Sequence, residues 1–221
     1  MSRVSRRSAP RWSGPGRCRT ALPAAVAAVF AVLAAILLAA PHGSVHAAGP
    51  QLADYEVGNY ELGGEFSLTN QDGKIAALKE WRGKVVVVFF GYTFCPDVCP
   101  TTMVEMSRLV EKMGAQSAQV QPVFITVDPA RDTPARLKSY VGNFRGHIVG
   151  LTGSERELNQ VARLYKTRFA KRTVDSAAKY LIDHTAFTYM LDPQGRVRYM
   201  FPGDAGTDVM VQGAKALLRK P

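Results

Sequence analysis

The chain has 221 residues, 47% of them hydrophobic and 21% charged, with three cysteines. That mix excludes a disordered chain and a disulfide-stapled mini-protein, and a mean hydropathy of −0.06 excludes a polytopic membrane protein. The formal charge of +10 is uneven, because Arg3, Arg6, Arg7, Arg11, Arg17 and Arg19 stand among residues 1–20 without a single acid. A nucleic-acid binder clusters its basic residues on the folded domain, so this distribution argues against nucleic acid as a partner.

Residues 1–20 read as a basic n-region that stays on the cytoplasmic side, as Arg-rich flanks do. Residues 21–40 follow as an apolar run, broken only by Pro23. Twenty helical residues rise about 30 Å, enough for the hydrocarbon core of a bilayer. Two readings stay open: a retained transmembrane anchor, which the length favours, or the core of a signal peptide cleaved after Val45-His46-Ala47. Both export the remainder, to the periplasmic face of an inner membrane. The Arg- and Ser-rich, acid-poor start also admits a mitochondrial transit peptide, with the domain then facing the intermembrane space. Cys18 precedes the apolar run, so the exported part holds two cysteines only, Cys95 and Cys99.

Residues 41–59 read as a linker and 60–221 as one domain, large enough to bury about 70% of its unfolded surface. A short strand is expected at 65–69, with Asn70-Gln71-Asp72-Gly73 as a turn. Residues 85–90 (VVVVFF) are apolar without alternation, as in a strand buried on both faces of a parallel sheet. Met103, Met106, Leu109, Val110 and Met113 recur at helical spacing and predict a helix over 100–113. The next strand is expected at 120–127. A helix over 134–141 starts with a capping residue followed by Pro134. Ser154 with Glu157 three residues later is a capping box, predicting a helix over 154–169. Residues 185–191 and 196–201 flank Asp192-Pro193-Gln194-Gly195 as a hairpin, and a last helix covers 207–219. Strands alternating with helices, closed by a hairpin and a helix, imply a mostly parallel central sheet with an antiparallel edge and helices on both faces. That is an α/β, thioredoxin-like fold.

Chemistry concentrates where the buried strand ends, in Gly91-Tyr92-Thr93-Phe94-Cys95-Pro96-Asp97-Val98-Cys99-Pro100. Each cysteine precedes a proline, which disfavours the α region, so both are expected on an irregular loop. Pro100 then takes the first helical position and Cys99 the N-cap, where the partial positive charge of the helix favours a Cys99 thiolate. A disulfide here would close a loop of about five residues and contribute about 2 kcal/mol on the chain-entropy relation, so a purely structural staple is a poor account. The three-residue gap leaves room for two sulfurs to flank an ion as well as to join each other. His184, just ahead of the expected hairpin, sits on a loop able to bring its imidazole to the sulfurs. Soft thiolates select Cu(I) and imidazole accommodates Cu(II), whereas structural zinc takes four protein ligands and no convincing fourth is present. The blander assignments are His184 as a hydrogen-bonded surface or core residue beside a strand, His147 as a loop histidine, the Met103, Met106 and Met113 stripe as core, Asp97 as a solvated acid that raises the thiol pKa values, and Asp128 as a strand end.

At these residues the chain resembles the SCO/SenC family of copper chaperones. The likeness spans residues 60–215. It rests on Cys95-Pro96-Asp97-Val98-Cys99-Pro100, on Val127-Asp128-Pro129 followed by Arg131-Asp132-Thr133-Pro134, and on Asp183-His184. The resemblance implies that Cys95, Cys99 and His184 ligate one copper ion, as Cu(I) or Cu(II), in a membrane-tethered protein that is not an enzyme. It implies as partners the copper-site subunit of cytochrome c oxidase and a second copper chaperone as donor. Ala130 stands where many relatives carry an acid. The alternative is a thiol-disulfide oxidoreductase or thiol peroxidase using the same pair, since Cys99-Pro100-Thr101 faintly echoes the peroxidatic motif of peroxiredoxins.

Overall fold

The computed structural model describes residues 50–175 and 179–219; the expected n-region and apolar run lie outside them. At the centre, β3 (Val85–Gly91) and β4 (Val120–Thr126) are buried along their whole lengths. They run parallel, in register from Val85 opposite Val120 to Gly91 opposite Thr126. The unbroken apolar run of β3 suits this place because helices cover both sheet faces. Alternate residues of β3 serve the two sides: Phe89 meets Phe124 at 6.2 Å, whereas Phe90 packs on Tyr165 at 5.5 Å. With β1 (Ser67–Asn70), β2 (Ile75–Ala77), β5 (Val149–Thr152), β8 (Thr188–Leu191) and β9 (Val197–Phe201), they form a seven-stranded sheet ordered β2-β1-β5-β4-β3-β8-β9. β3, β4 and β5 are parallel, and antiparallel pairs lie at both edges. This mixed sheet is the thioredoxin-like arrangement expected from the sequence, with one antiparallel edge more.

The helices are α1 (Val98–Met113), α2 (Pro134–Val141), α3 (Glu155–Leu164) and α4 (Thr207–Arg219). Thr133 caps α2 by accepting from the Arg136 amide, with Pro134 in the first turn. Ser154 and Glu157 close the expected capping box on α3. That helix ends earlier than expected: Lys166 adopts φ 53°, and the chain turns into a hairpin instead. The hairpin pairs β6 (Phe169–Thr173) with β7 (Tyr180–His184) as a sheet of its own. Its sequence hides it, because four of the five β6 residues are exposed and no apolar alternation marks a strand. At the other end, Tyr55 packs on Phe201 at 5.1 Å and the Val57 amide donates to Arg198 O, so residues 55–57 cover the outer edge of β9.

Candidate metal centre

β3 delivers the chain to Gly91, and the loop beyond it turns back so that the Cys95 amide donates to Tyr92 O. Asp132, fully buried, pins that loop: it accepts from the Thr93 amide at 3.0 Å, the Thr93 hydroxyl at 2.7 Å and the Thr126 hydroxyl at 2.6 Å. Burial raises the pKa of Asp132, although these hydrogen bonds pull the other way. Cys95 lies on the irregular loop, half-buried, as expected. Cys99 does not cap the helix. The N-cap is the exposed Asp97, and Cys99 is the second residue of α1, buried under the sheet. Pro100 is tolerated one position further on because first-turn amides lack intrahelical partners anyway. A Cβ at Gly91 would lie 2.8 Å from Cys99 Sγ, 2.9 Å from Phe124 and 3.0 Å from Phe89, so only glycine admits the sulfur.

His184 is the last residue of β7, on a strand rather than a loop. Its Nε2 lies 3.4 Å from Cys99 Sγ, across 85 residues of chain. Nδ1 lies 3.2 Å from Thr185 O, which leaves Nε2 facing the sulfurs: with the proton on Nε2 the ring donates to a sulfur, and with the proton on Nδ1 it offers Nε2 as a ligand. Phe89 and Tyr92 hold the ring edge-on at 6.1 and 6.0 Å. Ligand atoms of Cys95, Cys99 and His184 all lie within 4.8 Å of one another, and both thiols are free. Among the described residues this is the one such His/Cys/acid cluster.

The two thiols are unlike. The Cys99 S–H donates to Cys95, and with further hydrogen bonds from His184 and the Asp97 and Cys99 amides it lowers the Cys95 pKa to about 4, against the effect of burial. That same donation, together with burial, pushes Cys99 well above the ordinary thiol range. This corrects the expected Cys99 thiolate: burial under the sheet outweighs the helix terminus, and the more exposed Cys95 carries the charge. Asp97 acts on the pair through its amide, which lowers the Cys95 pKa.

The hairpin reaches the sulfurs because its far end is clasped. Arg131 pairs with the buried Asp128 and donates to Tyr180 O at 3.1 Å. Its guanidinium lies 3.8 Å from the Tyr180 ring centroid and 4.7 Å from that of Phe94, the neighbour of Cys95. The Tyr180 hydroxyl donates to Asp128 at 2.8 Å, and the Ile182 amide to Tyr92 Oη at 3.2 Å. Sequence reasoning named Asp128 as a strand end and assigned Arg131, Tyr92 and Tyr180 no role; the only signal was the motif at residues 127–134. His147 is elsewhere, its Nε2 2.9 Å from Val120 O at the opposite end of β4. Met103, Met106 and Met113 are core.

Comparison with known proteins fits this geometry. The SCO1/SenC family model matches residues 55–219. The SCO2-like protein of Rickettsia conorii is 36% identical over 155 residues, covering 70% of this chain and 76% of the relative. The structure of Bradyrhizobium japonicum ScoI with copper bound shares 39% identity at a TM-score of 0.66, over 71% of this chain and 99% of that one. The structure of BsSco, described as a disulfide-switch member of the Sco family of cytochrome c oxidase assembly proteins, shares 27% identity at a TM-score of 0.58, over 76% and 95%. Since the family match runs through nearly the whole described domain, cysteine loop and hairpin included, the chain belongs to the SCO1/SenC family.

Proposed function

We propose that this protein is a copper chaperone that holds one copper ion on Cys95, Cys99 and His184 and passes it to the copper-site subunit of cytochrome c oxidase. The observation that carries this reading is the convergence of two sulfurs and an imidazole nitrogen within 4.8 Å. Two thiolates satisfy Cu(I), and adding the imidazole makes the set acceptable to Cu(II) as well. Loading releases thiol protons. Transfer proceeds by ligand exchange that begins at Cys95, the more exposed sulfur, while the buried Cys99 stays bound longest. A second copper chaperone is the donor. Residues 21–40 serve as the tether or export signal that holds the domain on the periplasmic side of the inner membrane.

Anaerobic copper titration tests the site. The wild type takes up one equivalent, whereas His184→Ala binds copper more weakly; unchanged stoichiometry and affinity in that variant would remove His184 from the ligand set. A second reading, thiol–disulfide exchange, is favoured by the depressed Cys95 pKa beside a free partner thiol. Insulin reduction or peroxide consumption by metal-free protein separates the two, since turnover without copper supports exchange.

A further inference from the structure

The hairpin that carries His184 is a two-stranded sheet separate from the main one. Two strands by themselves are marginal in water, so the position of the imidazole depends on what clasps the hairpin to the domain. Ile182 is buried in the core and Phe169 packs against it, and several of the polar and stacking contacts gather at Arg131. It ion-pairs with Asp128 and donates to Tyr180 O at 3.1 Å. It also lies between the rings of Tyr180 and Phe94, 3.8 and 4.7 Å from their centroids. Phe94 precedes Cys95, and Tyr180 opens the strand that ends at His184. One side chain therefore touches both arms of the centre and no ligand atom. The rest of the clasp converges on the same place, since Tyr180 Oη donates to Asp128 and Arg131 lies 5.7 Å from the Tyr92 ring, whose hydroxyl accepts from Ile182.

We propose that Arg131 is a positioning residue that sets which oxidation state of copper the centre retains. Cys99 is fixed by α1 and the core, and the Cys95 loop by Asp132 and the bond from the Cys95 amide to Tyr92 O, none of them part of the hairpin; two thiolates are enough for Cu(I). Cu(II) needs the imidazole as well, and the imidazole arrives only when the hairpin is clasped. Loosening the clasp converts a three-ligand centre into a two-sulfur centre that keeps Cu(I) and loses Cu(II). The inference rests on the proposed three-ligand reading. A planar, forked guanidinium stacks on two rings while donating sideways; a lysine ammonium keeps the charge beside Asp128 but not the stack or the fork.

The test compares Arg131→Lys, Tyr180→Phe and His184→Ala in the reduced full-length chain, loaded separately with Cu(I) and Cu(II). Arg131→Lys is expected to bind Cu(I) within about threefold of the wild type but Cu(II) at least roughly tenfold more weakly, with an altered Cu(II)–thiolate absorption band. Tyr180→Phe, which keeps the ring and removes one hydroxyl, shifts in the same direction by less. In metal-free protein, amide hydrogen exchange of Ile182 and its hairpin neighbours accelerates in Arg131→Lys while β3 and α1 do not change. Wild-type Cu(II) affinity, or equal loss of Cu(I) and Cu(II), overturns the proposal. If His184→Ala itself keeps wild-type Cu(II) affinity, the three-ligand reading is what fails. Hydrogen exchange then decides the clasp by itself: unchanged hairpin protection in Arg131→Lys overturns it.

Discussion

Cys99 and His184 face each other across 3.4 Å, yet the elements that carry them share little. Cys99 rides on α1 against β3, a strand buried over all seven residues and paired with β4 along its full length. His184 ends a five-pair hairpin, one strand of which is exposed at four of its five residues. Packing of many apolar groups holds the first; one buried residue, Ile182, two flanking rings and a few polar and stacking contacts hold the second. Interior contacts are individually small and collectively large, so perturbing the sulfur side should cost the whole fold, whereas perturbing the imidazole side should cost the site. The two thiols differ in the same sense, because Cys95 stands at the boundary between these regions and Cys99 inside one of them.

The largest effect tests the packed side. Phe124→Ala removes the ring packed against Phe89 at 6.2 Å and should lower unfolding free energy by about 3–5 kcal/mol, measured by urea denaturation of metal-free protein. A loss under about 1 kcal/mol would break the contrast, placing it within the range of ordinary substitutions. Next comes the asymmetry of the thiols. With its pKa lowered to about 4, Cys95 stays a thiolate as pH falls from 8 to about 5, so its alkylation rate holds nearly level and drops only as pH approaches 4. An unperturbed thiol, with a pKa of about 8.5, loses about tenfold in thiolate per pH unit below that value. Cys99, pushed upward, should react more slowly than Cys95 by roughly a hundredfold or more at neutral pH. Mass-spectrometric mapping of iodoacetamide adducts reads both; equal labelling would overturn the assignment.

Gly91→Ala sharpens the comparison from the sulfur side. Its Cβ would come within 2.8 Å of Cys99 Sγ and 2.9 Å of Phe124, and relieving that overpacking should cost about 1–3 kcal/mol. Copper affinity should fall with stability, whereas on the hairpin side the two separate. The smallest effect is expected at Ala130, which is exposed beside the clasp. Ala130→Glu should change stability by no more than about 0.5 kcal/mol in thermal unfolding.

The unequal legibility of the chain follows the same divide. Residues 85–90 announce a buried strand because nothing but apolar side chains fits between two covered faces, and the structure extends it only to Gly91. Thr133 with Pro134, and Ser154 with Glu157, announce helix starts because capping is local chemistry. The closing helix occupies residues 207–219, as expected. The hairpin left no comparable trace, since β6 is mostly exposed, β7 buries only Ile182, and the contacts with Asp128, Arg131 and Tyr92 come from distant segments. β2, of three residues, is below the length at which alternation is readable, and β5, at that length, carries a glycine among its four residues.

What the sequence by itself determined is therefore local: which residues must be buried, where helices start, and that two cysteines stand at a strand-to-helix corner. These follow from side-chain polarity and backbone preference within a few residues. Only the tertiary structure decided that Cys99 lies within the helix and under the sheet, that Cys95 rather than Cys99 carries the thiolate, and that a clasped hairpin brings His184 to both. Burial and through-space hydrogen bonding set those outcomes: the sheet that buries Cys99 and the imidazole that lies 85 residues along the chain are beyond the reach of any local pattern, and even the hydrogen bond between the two thiols depends on how the loop between them folds.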